Sequence, residues 1–451
     1  MYFLYSLVTA AGIILLAPYV LLSSARRQKY LPSFSQRLGF DYPPRLAANR
    51  DPSAPAIWLH AVSVGEVLAA LPFARCLKER FPRWRLVIST TTATGQKLAR
   101  ERMPFADAVF YFPFDWNGPL RRAFRAVQPG VIVVLETEIW PNLLRHARKT
   151  GVPVVFVNGR LSDRSFRGFS RAMKAGFGRF LRRILNDATL YIVQSRQDAS
   201  RLTALGAAPD RVLVSGSMKY DMAVPPANAF VTWLQEELKR SQRGPLIVAG
   251  SVIAGEEPSV LEAFAALRQK WPQALLILAP RKPERFAAAS DLVTQSGSRP
   301  IRRSELSLDG ISAGSLANPA GTAGSVLLLD TIGELAAVYS LADAVFIGGS
   351  LNPGSGGHNP LESAAFAKPP VFGMSMDNFR DIAAALLESG AAIQVDSAAG
   401  LAAAWAELLE NAPRRVQMGL AAREIVERNR GATAATLDRL AAIIDARRAT
   451  P

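Results

Sequence analysis

The sequence predicts a two-domain α/β protein in which each half is a doubly wound parallel sheet. Three observations carry this reading. Short apolar runs alternate with helical patterns along most of the chain, which is the pattern of βαβ units. At 451 residues and 49% hydrophobic content, the chain is long enough to bury two cores. The proline-containing segment from Met222 to Pro245 divides the alternation in two.

In the first half, strand-like runs are expected at Ala56–Ala61, Arg85–Thr90, Ala108–Phe112, Val131–Leu135, Val152–Val157, Leu190–Val193 and Arg211–Val214. Helical patterns fill the intervals, beginning with Val67–Arg80. In the second half the strands are expected at Leu246–Gly250, Ala274–Ala279, Val326–Leu329, Ala344–Ile347, Pro370–Phe372 and Ala392–Val395. The stretch Ser296 to Ser325 is rich in Gly, Ser and Ala and reads as irregular. The resulting plan has an anchor at 1–25, a basic juxtamembrane segment at 26–55, a first domain at 56–221 and a linker at 222–245. A second domain follows at 246–430, and a final helix at 431–451 packs back towards the first. Two doubly wound domains with a cleft between them is the GT-B arrangement of glycosyltransferases.

The N-terminus points to a membrane. Tyr2 to Leu22 contains no charged residue, and as a helix it would be about 30 Å long, enough to cross a bilayer. Arg26, Arg27, Lys29 and Arg37 follow it and no basic residue precedes it. The positive-inside rule then places the rest of the chain on the cytoplasmic side. The expected fold therefore includes an N-terminal transmembrane helix, and the expected location is a membrane with the domains on its cytoplasmic side. A second basic element, Arg164 to Leu185, has apolar residues at three- and four-residue spacing and no acidic residue. It reads as a basic amphipathic helix facing lipid or lipid phosphate.

The net charge is +16, from 53 Lys and Arg against 37 Asp and Glu. Anionic lipid or a phosphorylated substrate fits this charge better than nucleic acid, because the basic residues lack interleaved stacking residues and sit beside membrane-type features. One cysteine, Cys76, excludes an intrachain disulfide. The three histidines His60, His146 and His358 have no metal-ligand spacing.

Open parallel sheets bind ligands beyond the carboxyl ends of their strands, and chemistry-bearing residues stand there. Glu66 closes the run His60-Ala-Val-Ser-Val-Gly-Glu66. Its spacing from Ser63 fits a capping box, and it also fits a carboxylate placed to take a proton. Glu136 and Glu138 follow Val131–Leu135, where carboxylates are costly unless solvated, paired or used. Lys219, in Gly216-Ser-Met-Lys-Tyr-Asp221, suits phosphate or developing negative charge. Arg281, Lys282 and Arg285 follow Pro280 at a helix start, where basic charge opposes the helix dipole. Thr331-Ile332-Gly333-Glu334 and Asn359-Pro360-Leu361-Glu362 match capping spacing, and either Glu could equally accept ribose hydroxyls. The loop with Gly348, Gly349, Gly354, Gly356 and Gly357 runs from Ala344–Ile347 into a helix at Asn359, an arrangement suited to phosphate.

Taken together, HAVSVGE, LETEIWPN, GSMKYD, APRKPERF, DTIGEL and GGSLNPGSGGHNPLE resemble the motifs of the bacterial Kdo transferases. These enzymes move 3-deoxy-D-manno-octulosonic acid (Kdo) from CMP-Kdo to the lipid A precursor lipid IVA in lipopolysaccharide core biosynthesis. The motifs occur in the family's order from Ile57 to about Ile382. The resemblance implies a GT-B fold, inversion at the anomeric carbon, and no metal or other cofactor. By motif, Glu66 corresponds to the general base, and Glu136 and Lys219 to transition-state stabilisers. Pro280, Arg281, Ile332, Gly333, Glu334, Asn359, Pro360, Leu361 and Glu362 correspond to the CMP contacts. Asn352–Ser355 make the glycine loop one residue longer than is usual in the family. Other readings of the same architecture are a different GT-B transferase or epimerase, or a non-catalytic binder of nucleotide or lipid phosphate.

Overall fold

The computed structural model describes residues 1–22, 33–44, 46, 55–307, 316 and 325–448. The chain forms two units: Met1–Met222 with Asn429–Pro451, and Ala223–Arg428.

The first unit is built on one sheet. Its strands are β1 (Ala56–His60), β2 (Arg85–Thr90), β3 (Ala108–Tyr111), β4 (Pro129–Leu135), β5 (Val154–Gly159), β6 (Leu190–Val193) and β7 (Val212–Val214). Their order is β3-β2-β1-β4-β5-β6-β7, and every pairing is parallel. All residues of β1, β2, β4 and β5 are buried, as strands covered on both faces must be. Side chains alternate across the sheet: Trp58 joins Phe110, Phe124 and Phe156 on one face, while Ile57 and Leu59 join Phe73 and Leu77 on the other. The second face is completed by Leu440 and Ile444 of the final helix, Ala432–Arg448. The start of that helix is fixed by Asp221, whose carboxylate accepts the N–H groups of Gly431 at 2.6 Å and Thr433 at 2.5 Å.

The second unit repeats the plan with β8 (Leu246–Val252), β9 (Leu275–Pro280), β10 (Arg299–Arg302), β11 (Ser325–Leu328), β12 (Ala344–Ile347), β13 (Pro370–Phe372) and β14 (Ile393–Gln394). The order is β10-β11-β9-β8-β12-β13-β14. One face of its core gathers Phe264, Leu276, Phe346 and Trp405. Strand order reverses between β1 and β4 in the first unit and between β8 and β12 in the second. These are the two points at which a doubly wound sheet opens a crevice.

Some expectations require correction. The stretch read as irregular, Ser296 to Ser325, contains β10, which pairs in parallel with β11. It is an edge strand with two arginines and a proline, and only Ile301 is buried, so no apolar run marks it. Residues 308–315 and 317–324 of that stretch lie outside the described residues. The segments after Thr331 and Asn359, read as capped helix starts, form short helices at Leu335–Val338, continued by the 3-10 turn Tyr339–Leu341, and at Leu361–Ala364. The basic helix is split: Asp163–Ala172 and Gly178–Leu185 flank a π-helical turn, where Gly176 adopts a φ of 91°.

Tyr2–Leu22 is helical as expected. Among the described residues, however, no helix is long and apolar enough to cross a membrane, so the transmembrane part of the expected architecture is not supported. One side of this helix is polar and bonds to the first unit, through Tyr2, Ser6 and Thr9. Arg26, Arg27 and Lys29 lie outside the described residues. Arg37, grouped with them from the sequence, instead donates to the carbonyl of Thr91 and to Ser33 Oγ.

Candidate active site

In the first unit the crevice lies beyond the carboxyl ends of β1 and β4. After β1 the chain turns through Val62 and Ser63 into the helix Val64–Arg80. Glu66 sits in the first turn of that helix and folds back. Its carboxylate accepts the Val62 N–H at 2.8 Å and the Ser63 hydroxyl at 3.1 Å. Ser63 makes no side-chain cap of its own, and Glu66 takes the N–H of Val62 rather than that of the cap residue Ser63, so the expected capping box is replaced by a carboxylate that folds one residue further back. The carboxylate is held in one place, and Glu66 is 8% exposed. Burial raises its pKa to about 7, and the charges of Glu136 and Glu138 push in the same direction. Such a group changes protonation near neutrality, as a general base should.

Glu136 is the first residue after β4. Its φ is 55°, in the left-handed region that non-glycine residues seldom occupy. The turn is held from both sides: Glu136 N–H donates to Val157 O at 2.9 Å, and the Thr137 hydroxyl donates to Arg160 O at 2.7 Å. Unusual backbone of this kind concentrates at functional sites. Burial and the charge of Glu136 together raise the pKa of Glu138.

Lys219 lies in the 3-10 turn Met218–Asp221, which follows β7, three strands from β4. The turn nevertheless returns towards β4, because Met218 N–H donates to the side-chain oxygen of Asn158 at 3.0 Å. Asn158 is on β5, next to the residue that accepts from Glu136. Adjacent residues of one strand thus hold Glu136 and the Lys219 turn. Asn158 escaped the sequence reading; its signal is an Asn with positive φ at the end of an apolar strand.

His60, in the same motif as Glu66, is packed as a buried ring. Its ring stacks on Phe112 at 4.0 Å, and burial lowers its pKa to about 3. Asn142, the last residue of the LETEIWPN motif, is structural too. It is buried, and it donates to Asp115 O at 2.6 Å and to Ser6 Oγ at 2.9 Å.

In the second unit the crevice lies between β8 and β12, and a carboxylate fills it. Glu256 is fully buried and accepts the N–H groups of Ile253 at 3.1 Å, Gly349 at 2.6 Å, Ser350 at 2.7 Å and Leu351 at 2.8 Å. The glycine-rich loop therefore wraps an anion supplied by the protein itself. Further along, Gly357 N–H donates to Gly349 O, His358 N–H to Gly348 O and Gly356 N–H to Ser375 Oγ. The helix expected to present free N–H groups at Asn359 is a single turn, and Leu361 N–H is taken by Asn359 Oδ1 at 3.1 Å. A phosphate at this loop would depend mainly on side-chain charge.

Arg281 supplies such a charge. It is exposed, directly after buried Pro280, and its N–H is tied to Val252 O at 2.8 Å. It acts on Glu362, whose pKa is raised by burial and lowered in part by Arg281 and by a hydrogen bond with Asn359. It also acts on His358, which burial lowers to about 4. Pro280, Arg281, Asn359, Pro360, Leu361 and Glu362 thus belong to one region. Arg285, grouped with Arg281 from the sequence, is instead paired with buried Glu257 at 2.8 Å.

Ile332, Gly333 and Glu334 follow β11. Ile332 is exposed and Gly333 has a φ of 98°. Glu334 accepts from the Thr331 hydroxyl and is paired with Arg303 at 2.8 Å. Arg303 is a second residue the sequence did not reveal, because it belongs to the unrecognised edge region after β10. Among the described residues no cluster of His, Cys, Asp and Glu is arranged to hold a metal ion.

Comparison with known proteins bears on this arrangement. A Haemophilus influenzae protein named 3-deoxy-D-manno-octulosonic acid transferase is 33% identical over 434 residues, covering 94% of each chain. This chain belongs to the 3-deoxy-D-manno-octulosonic acid transferase family. The family model described as "3-Deoxy-D-manno-octulosonic-acid transferase (kdotransferase)" matches residues 32–222, which include Glu66, Glu136 and Lys219. A Bordetella pertussis member of this transferase family is 35% identical, covering 86% of this chain and 87% of its own. The fold is shared more widely. A glycosyltransferase from Rickettsia africae superposes with a TM-score of 0.53 at 12% identity, covering 86% of this chain and 99% of its own. Anabaena HepE, solved with UDP, gives 0.53 at 13% identity, covering 86% and 100%.

Proposed function

We propose that the protein transfers Kdo from CMP-Kdo to a sugar hydroxyl of the lipid A precursor, with inversion at the anomeric carbon and without a metal, on the cytoplasmic face of the inner membrane. The observation that supports this most is the fixed carboxylate of Glu66 at the first unit's crevice, with Glu136 close enough to raise its pKa.

In this mechanism Glu66 takes the proton of the acceptor hydroxyl as the new C–O bond forms. The bond from the anomeric carbon to the phosphate oxygen breaks, and CMP leaves with the electron pair. Glu136 offsets positive charge at the oxocarbenium-like centre, and Lys219 meets negative charge on the departing phosphate. Arg281 offers a further cation for the phosphate. Glu334 and Glu362 are carboxylates suited to the hydroxyls of the nucleotide. The exposed basic helices Asp163–Ala172 and Gly178–Leu185 suit an acceptor that carries phosphates on an anionic leaflet.

The test is direct. Purified protein is incubated with CMP-Kdo, generated in situ, and a tetra-acylated lipid A precursor, and the product is weighed by mass spectrometry. Addition of Kdo mass is expected. No transfer by well-folded wild-type protein would reject the proposal. Glu66→Ala should lose transfer while still binding CMP.

A further inference from the structure

Side chains of the first helix hydrogen-bond to the rest of the first unit, Tyr5 with Asp115 among them. Tyr2 Oη donates to Asp187 Oδ2 at 2.7 Å, Asn142 Nδ2 donates to Ser6 Oγ at 2.9 Å, and Trp116 Nε1 donates to Thr9 Oγ1 at 3.0 Å. Positions 2, 6 and 9 follow helical spacing and share one face. The contacts at the N-terminal end are extensive. The Tyr2 ring meets Phe180 edge-on at 5.0 Å, the Arg145 guanidinium lies 4.4 Å over its face, and Tyr2 is buried. Asp187 is itself buried and paired with Arg148 at 2.7 Å.

Other side chains of the helix are apolar and uncovered. Phe3, Leu4, Leu7, Val8, Ile14 and Leu15 are between 50% and 80% exposed. Phe180 belongs to the helix Gly178–Leu185, so the Tyr2–Phe180 contact joins this apolar surface to the basic element. There Arg167, Arg171, Lys174, Arg179, Arg182 and Arg183 are exposed. Phe177 projects between them, exposed, at the π-helical turn.

A helix that crosses a bilayer and leaves the following chain in the cytoplasm puts its first residue about 30 Å away on the opposite side. Asp187, Asn142 and Trp116 belong to the first unit, so residues 2, 6 and 9 cannot reach them from there. We infer that the first helix lies along the membrane plane, with the N-terminus on the same side as the first unit. Its apolar stripe sits at the boundary between headgroups and acyl chains of an anionic leaflet. The adjoining arginines and lysines meet the lipid phosphates, as in other amphipathic interfacial elements. The inference rests on the membrane attachment proposed above and replaces a crossing anchor with an in-plane one.

The experiment uses the full chain with an uncharged N-terminal epitope, expressed in a bacterial host. Protease is added to right-side-out spheroplasts and to inverted inner-membrane vesicles. The epitope should be protected in spheroplasts and cleaved in inverted vesicles. Cleavage in spheroplasts, with the protein still in the membrane fraction, would overturn the in-plane helix and leave attachment intact. Recovery of the protein in the soluble fraction would overturn attachment itself. As a second measurement, binding of purified protein to phosphatidylglycerol-containing vesicles should exceed binding to phosphatidylcholine vesicles at least tenfold at low salt. The substitutions Phe3→Asp and Leu7→Asp together should reduce it at least tenfold. Equal binding to both vesicle types would remove the anionic leaflet as the partner.

Discussion

The carboxylate of Glu256 accepts the main-chain N–H of Ser350 at 2.7 Å, joining the segment after β8 to the loop after β12. Gly349 and Leu351 donate to the same carboxylate. In many nucleotide-binding folds a glycine-rich loop at this point of the sheet receives the ligand's phosphate. Here an internal anion gives the loop its shape before any ligand arrives.

Removing that anion should disturb the loop more than the rest of the unit. In Glu256→Ala the N–H groups of Gly349, Ser350 and Leu351 lose their acceptor, at a cost of about 1–3 kcal/mol for each donor left unsatisfied. Denaturant unfolding should show the loss. Glu256→Gln, which keeps one acceptor oxygen and the shape, should fold more stably than the alanine variant. It should bind CMP more weakly than wild type in calorimetry while Glu66-dependent steps are unchanged. Equal stability and CMP affinity in all three proteins would contradict this role.

The base role proposed for Glu66 predicts a pH-dependent reaction. With its pKa near 7, kcat/KM for transfer should rise about tenfold per pH unit below that point and level off above it. Glu66→Gln should lose about 10²- to 10⁴-fold in rate. Stability moves in the opposite direction. The folded group binds a proton more tightly than the unfolded one, whose value is near 4.5. Its contribution is therefore complete below about 4.5 and is lost as pH rises through about 7. The Tm of wild type minus that of Glu66→Gln should fall between pH 5 and pH 8.

The left-handed backbone of Glu136 allows function and fold to be separated. Asn tolerates this conformation and a β-branched residue does not. Glu136→Asn should keep stability close to wild type, whereas Glu136→Val should lose about 1–3 kcal/mol. Both should lose transfer activity. A stable, well-folded Glu136→Val protein would show that the turn is not constrained as described.

Gly373, directly after β13, lies under the same loop as Glu256. A Cβ there would stand 2.2 Å from Ser350 O and 2.4 Å from Ser350 C. Both are backbone atoms, so the loop itself must move. Gly373→Ala should destabilise the protein by about 1–3 kcal/mol and weaken CMP binding, measured by unfolding and calorimetry. Gly390→Ala, where nothing lies within 4 Å, changes only a surface turn with positive φ and should leave CMP affinity unchanged.

The sequence made the sheets legible because burial on both faces writes them as unbroken apolar runs, as in Val131–Leu135. It marked Glu136 as a candidate because a charge directly after such a run needs a reason, and Glu66 and Lys219 as candidates because each stands five residues past one. It did not reveal Glu256, whose partners in the glycine loop lie 93 to 95 residues away and contribute only backbone. The glycines announced close approach of the loop to an anion but not that Glu256 carries it. The first helix was read from its lack of charge. The polar face formed by Tyr2, Ser6 and Thr9 acquires meaning only beside Asp187, Asn142 and Trp116. β10 was hidden because Arg299, Pro300 and Arg302 dilute its single buried residue.

The bond between Asp221 and Thr433 spans 212 positions of sequence, and this bears on how the protein is made. At about 5–20 residues per second, the ribosome delivers Thr433 roughly 10–40 seconds after Asp221. Throughout that interval the sheet carrying Glu66 and Glu136 lacks Leu440 and Ile444, which close one of its faces. The second unit is one uninterrupted segment and has all its strands by then. The half synthesised first is thus the half completed last, and its exposed apolar face is where a chaperone would be needed during synthesis.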